Sequence, residues 1–341
     1  MYEIKSGLAL DDMIAWPVSG FREGLKTTTN VDEGMVEEYP DDGDLSSDTD
    51  EGYQQDLSDE TPEDSSMTDS YNMDENIEES VQAKGDILIT RDPLQDQKKQ
   101  NEQIKDMINE GIDVLFLQPV DRNKVRPALE LCKKKHIPVV VIDSEVSDTE
   151  AVVSTIVSDN YDAGVQCAKD MMKKKTSANI IIVNQKALNS INERVKGRLC
   201  GILKLCTTPC SYKIVEEKES AAEFEIAMKV MEKIIYEKKN YDVVMGGNDP
   251  IALGCIAAMQ MTDKTDQVMV YGVDGSPDGK AMIKAGFLEG TAAQSPIKIG
   301  EKAVQTAYSY LAGETVKKHV TIPVELITAD NLKFYDMTGW Q

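Results

Sequence analysis

The chain has 341 residues, 41% of them hydrophobic, and a formal charge of −23. A chain of that length buries one large or two medium cores, and it contains no run of about 18 apolar residues that would cross a membrane as a helix. Residues 31–80 hold twenty Asp and Glu and no Lys or Arg; the rest is near neutral, without the clustered cations that nucleic-acid phosphates require.

The N-terminal stretch MYEIKSGLALDD has no basic segment followed by an apolar core, the pattern of a secretory signal. The acidic tract, about 27–75, is poor in aliphatics. It buries too little surface to offset its ordering entropy, so a disordered insertion is expected. Its DLSSDTDEG fragment lacks the glycine and terminal glutamate spacing of an EF-hand loop.

From Asp86 onward short apolar runs recur: 86–90, 114–118, 137–143, 151–157, 179–184, 212–216, 241–246 and 268–274. Amphipathic stretches such as DQKKQNEQIKDMINEG lie between most of them. Strands alternating with helices predict an α/β fold of doubly wound parallel sheets. Two blocks are expected, 86–157 and 178–293. Ligands of such sheets bind beyond the carboxyl ends of the strands, so the residues after each run carry the information.

Those residues are Gln118, Asp143, Asn248, Asp274 and Gln294. Amides and carboxylates presented together suit the hydroxyls of a sugar or polyol. A phosphate would call for backbone N–H groups and cations. GGNDPIALG, 246–254, places Asn248 as a ligand amide, with Asp249 and Pro250 as the cap and first position of a helix.

Catalytic patterns are absent: no G-x-G-x-x-G, no G-x-S-x-G, and no nucleophile–base pair among the strand-end residues. GSPDGK, 275–280, has three residues between its glycines and Ala281 where a P-loop has Ser or Thr. His136 and His319 read as surface residues in basic turns. The cysteine spacing, with Cys200, Cys206 and Cys210 closest together, is not a zinc pattern. Cys206 and Cys210 could pair in an oxidising compartment. No enzyme, no cofactor and no metal are therefore expected.

The segments INEGIDVLFLQPVD, HIPVVVIDS, VSDNYDAG, NERVKG, GGNDPIALGCIAAMQ, VYGVDGSPDG and GTAAQSPIKIG make residues 86–330 resemble the type I periplasmic sugar-binding proteins, particularly the ribose-binding-like group. That fold is shared by the ligand domains of lactose-repressor-type regulators. The resemblance implies two lobes, 1–158 plus 295–324 and 159–294 plus 325–341, joined by a hinge of Ser158, Asp159, Asn160, Ser295 and Glu325. It implies a ligand set of Gln118, Asp143, Arg194, Asn248, Asp274 and Gln294. Arg194 supplies a rigid donor fork and the acids and amides the acceptors. The resemblance further implies a strand at 4–10, a ligand loop at 11–16 with Asp12 and the stacking platform Trp16, and the start of a helix at 18–26. The alternative is that 1–75 is unrelated sequence.

Three positions depart from the family pattern: Ser144 where Arg is frequent, and Val273 and Ala222 where aromatic rings are expected. These put pentose or hexose specificity in doubt. By resemblance the protein is a monomeric solute receptor that delivers a sugar or polyol to an ABC permease, or reports it to a chemoreceptor or sensor. The alternative is the ligand-sensing domain of a regulator or chemosensory system; the acidic N-terminal region offers no DNA-reading helix. A periplasmic or extracellular, membrane-associated location follows from the resemblance, a cytoplasmic one if the numbering is native.

Overall fold

The computed structural model describes residues 12–17, 73, 76–205, 211–262 and 268–340. These residues form two six-stranded sheets. The first contains β1 (Asp12–Pro17), β2 (Asp86–Arg91), β3 (Leu115–Leu117), β4 (Val139–Ile142), β5 (Val152–Ser158) and β11 (His319–Ile322). The second contains β6 (Ser177–Asn184), β7 (Ser211–Glu219), β8 (Val243–Gly246), β9 (Met269–Asp274), β10 (Gly290–Ala293) and β12 (Glu325–Thr328). Each of the eight apolar runs forms a strand. Every residue of β3, β4, β5, β8 and β9 is buried, the signature of parallel strands covered on both faces.

The helices are α1 (Gln97–Glu110), α2 (Arg126–Lys135), α3 (Asn160–Lys174), α4 (Asn189–Leu205), α5 (Phe224–Tyr236), α6 (Asp249–Gln260), α7 (Pro277–Ala285) and α8 (Pro296–Leu311). Local chemistry sets their ends. Asp96, Asp159, Asn248 and Ser276 cap α1, α3, α6 and α7 by accepting first-turn N–H groups. Gly111 and Gly286 end α1 and α7 in the left-handed region. The cap of α6 is Asn248; Asp249 is its first helical residue and fully buried. The expectation of Asp249 as cap is thus off by one residue.

The strand orders are β11-β5-β4-β3-β1-β2 and β12-β10-β9-β8-β6-β7, parallel except for the β10–β12 pair. In each sheet the order reverses beside the first strand, β1 or β6, and crevices for ligands open at such switch points. The chain passes between the sheets between β5 and α3, between β10 and α8, and between β11 and β12.

The N-terminal strand corrects one expectation. It lies at Asp12–Pro17, parallel to β2 and β3, and residues 4–10 and 18–26 lie outside the described residues. A central parallel strand favours an unbroken apolar run. Met13–Pro17 provides one. Asp12 pairs with Asp86 at the amino end of the strand, away from the carboxyl edge, so it leaves the ligand set. Trp16 pairs with Thr90, one residue from the carboxyl end.

Most of the acidic tract, and Cys206 and Cys210, lie outside the described residues. Met73, placed within the tract by composition, is 3% exposed and part of the first sheet's core. Cys132 and Cys255 are buried in helices, and burial pushes both thiols up to about 12.

Candidate ligand-binding pocket

Repetition of the fold places the same chemistry twice. Beyond the third strand of each sheet stands an amide, Gln118 after β3 and Asn248 after β8. At the end of the fourth stands a carboxylate, Asp143 after β4 and Asp274 closing β9. Both acids have positive φ, 61° and 141°. Side chains rarely adopt such values, and strain of about 1–3 kcal/mol is held at functional sites where neighbours over-determine the backbone.

Gln118, Asp143, Arg194, Asn248, Asp274 and Gln294 all line one cavity of about 90 Å³ between the sheets. Met73, Gln95, Leu188, Ser190, Ile191, Ala222, Pro296 and Ile299 complete it. Gln95 and Ser190 sit at or before helix starts that follow strands β2 and β6, a position that reading only the residues next to strands passes over. A larger open depression of about 490 Å³ is lined by Asn123, Arg126, Ser147, Asp148, Thr149 and Glu150, all from the side of the first sheet. Size does not select the site; converging polar groups do.

Arg194 organises the second-sheet side. Its Nε donates to Asn160 Oδ1 at 2.8 Å, and its Nη1 to Gly247 O at 3.0 Å and to Asp274 Oδ1 at 3.2 Å. Arg194 and Asp274 are each 3% exposed. Gln294 Nε2 donates to Asp274 Oδ1 at 2.7 Å, and Asp249 N to Asp274 Oδ2 at 3.3 Å. On the other side, Gln118 Nε2 donates to Asp143 Oδ2 at 3.2 Å.

The Oε1 atoms of Gln118 and Gln294 are buried without a partner among the described residues. Where the carboxyl is ionised it only accepts, so the amide NH₂ faces it and the carbonyl oxygen is left over. Asn248 uses Oδ1 to accept Ile251 N at 3.0 Å, which leaves its NH₂ only a long contact of 3.5 Å to Ala222 O.

Behind the pocket, Asp249 accepts from Ser276 N at 2.9 Å, Ser276 Oγ at 2.8 Å and Thr291 Oγ1 at 2.6 Å. A methyl on Gly272 or Gly279 would overlap this carboxylate, which explains both glycines. Asp249 therefore ties α6 to α7 and β10, and through its N–H it steadies Asp274.

Burial is the main cause that raises the carboxyl of Asp274, to about 7; Asp249 and Asp143 add to it, and Arg194 and the Asp249 N–H oppose it. Burial also raises Asp143 and Asp249, again against Arg194. An unfolded Asp titrates near ~3.9. Between there and about 7 the folded protein retains a proton on Asp274 that the unfolded chain has released. Stability therefore falls as pH rises through that window. The melting temperature of the ligand-free protein is expected to drop from pH 5.5 to 7.5, with a flatter profile in Asp274→Asn; a rising profile would contradict this.

Beside the cavity, polar groups bridge the two sheets. Arg122 donates from its backbone to Ala187 O at 3.2 Å and from Nη1 to Asn189 Oδ1. Asn189 Nδ2 donates to Glu145 Oε2 at 2.7 Å, and Ser190 N to Ser144 Oγ at 3.2 Å. Within the first-sheet side, His319 Nε2 lies 2.7 Å from Glu145 Oε1.

Comparison with known proteins places this geometry in context. Residues 63–315 match the family model described as a periplasmic binding protein domain. The ribose import binding protein RbsB of Escherichia coli (strain K12) is 28% identical over 243 residues, covering 70% of this chain and 79% of the relative. An ABC transporter solute binding protein from Bacillus halodurans with bound myo-inositol superposes with a TM-score of 0.72 at 22% identity, covering 79% of this chain and 93% of that one. One from Agrobacterium vitis with bound D-fucose gives 0.72 at 25% identity, covering 78% and 92%.

Proposed function

The chain belongs to the periplasmic binding protein domain family, and on that premise we propose that it captures a small sugar or polyol between its two lobes and delivers it to an ABC importer. One observation carries the reading. Gln118 and Asp143 from one sheet, and Arg194, Asn248, Asp274 and Gln294 from the other side, converge on one cavity and leave two amide oxygens without a partner among the described residues. A hydroxylated ligand supplies the missing donors. Relatives whose names describe ribose import, and structures containing myo-inositol or D-fucose, support the same ligand class.

The lobes of this reading are 1–158 plus 295–324 and 159–294 plus 325–341, with Ser158, Asp159, Asn160, Ser295 and Glu325 at the hinge. Asp159 N donates to Ile322 O at 2.8 Å, and Gln166 bonds both Val324 O and Leu326 N, so two of the crossing strands are held together. Rotation about such a hinge opens the cavity and breaks the Arg122–Asn189–Glu145 bridge; closure restores it. Trp16, near the carboxyl end of β1, is proposed as an apolar wall for the ligand. A periplasmic or membrane-associated extracellular location and an ABC permease partner belong to the same reading.

A thermal-shift screen with pentoses, hexoses and polyols tests it. A ligand at a hundred times its Kd adds about 2.7 kcal/mol to stability, a shift of several degrees. A flat response across the whole panel rejects the proposal.

A further inference from the structure

We propose that the ligand carries a cationic amino group beside its hydroxyls, as an amino sugar or amino polyol does, and that its ammonium seats against Asp143. This rests on the reading of the cavity as a sugar or polyol site and narrows it.

The first observation is a count of charge. Among the described residues lining the cavity, the charged ones are Asp143, Arg194 and Asp274. Arg194 is committed to Asp274, Asn160 and Gly247, all on the second-sheet side or the crossing segment. Asp143 forms no ion pair among the described residues, and its carboxylate receives only the Gln118 amide. The adjacent Ser144 is fully buried and accepts from Ser190 N, so it supplies no counter-charge. Among the described residues the cavity is thus lined by two carboxyl groups and one cation, and Asp143 is the acid without a cation in contact.

The second observation is the hydrogen-bond balance. Gln118 and Gln294 turn their NH₂ groups to the two carboxyl groups, and each leaves a buried Oε1 without a donor among the described residues; Gln294 is 6% exposed. Acceptors are in surplus. A hydroxyl brings one donor and no charge, whereas an ammonium brings three donors and a positive charge. Charge-assisted bonds to a carboxylate are roughly twice as strong as neutral ones, and an isolated buried carboxylate is costly unless it is paired or protonated. Burial raises the Asp143 carboxyl, against Arg194 and the Gln118 amide.

Isothermal titration of the full chain with matched pairs decides the matter: glucosamine against glucose, galactosamine against galactose, and an amino-inositol against myo-inositol, on wild type and Asp143→Asn. At least one amino member is expected to bind wild type tenfold or more tightly than its hydroxyl parent. In Asp143→Asn that ratio falls towards one. The wild-type comparison stands even if the variant folds poorly. Parents that bind as tightly as, or more tightly than, their amino partners overturn this inference and leave the sugar-site reading standing. No binding by either member of any pair, together with a flat pentose, hexose and polyol screen, overturns both.

Discussion

Arg194→Ala is expected to abolish the ligand-induced rise in melting temperature and to destabilise the ligand-free protein by about 3–5 kcal/mol at pH 8, the cost of removing one partner of a buried ion pair. The guanidinium joins Asn160, Gly247 and Asp274, which come from three separate stretches of the chain. Without it Asp274 remains buried beside Asp249 and Asp143 with no cation in contact. It escapes part of the cost by taking up a proton. The loss is therefore smaller at pH 5.5, where Asp274 already holds a proton in the wild type. Arg194→Lys restores the charge but not the planar fork, and it is expected to recover some stability without recovering binding. Urea melts at the two pH values, with and without ligand, measure all of this. A pH-independent loss, or retained binding in the alanine variant, would refute it.

Gly197→Ala is the second large effect. Helices α3 and α4 cross so closely that a methyl on Gly197 would overlap the Tyr161 carbonyl, and one on Gly164 the Arg194 carbonyl. Backbone atoms cannot rotate aside, so the helices must separate. Overpacking of this kind costs about 1–3 kcal/mol or more. The displaced helices carry Asn160 and Arg194, so binding is expected to fall as well as stability. Gly286→Ala serves as the contrast: its φ is +82° but nothing lies within 4 Å of the added methyl. It is expected to cost about 1 kcal/mol and to leave ligand binding intact. Wild-type stability in Gly197→Ala would show that the crossing is looser than the structure has it.

Much of this site was legible before any coordinates. Parallel strands buried on both faces have to be apolar throughout, so the eight runs from Asp86 to Asp274 announced themselves. The polar residue after each run then had to stand at the carboxyl edge, which is why Gln118, Asp143, Asn248, Asp274 and Gln294 were found in one cavity. Short edge strands such as β11 and β12 do not stand out in the same way, because four half-exposed residues carry little periodic signal.

The N-terminal strand shows where local reading ended. The expected strand at 4–10 lies outside the described residues, whereas the expected ligand loop at 11–16 overlaps Asp12–Pro17, which tertiary pairing with β2 and β3 makes a strand, with Asp12 at its amino end. Asp249 is a similar case. Its place after two glycines looked like a cap, and only the approach of Ser276 and Thr291 made it a buried tie between elements. Chain chemistry alone thus settled which residue types stand at the strand ends and the sign of their charges. Which acid is matched by Arg194 and which is left facing the cavity depended on distances between the two lobes, because an ion pair is made in space and not along the chain.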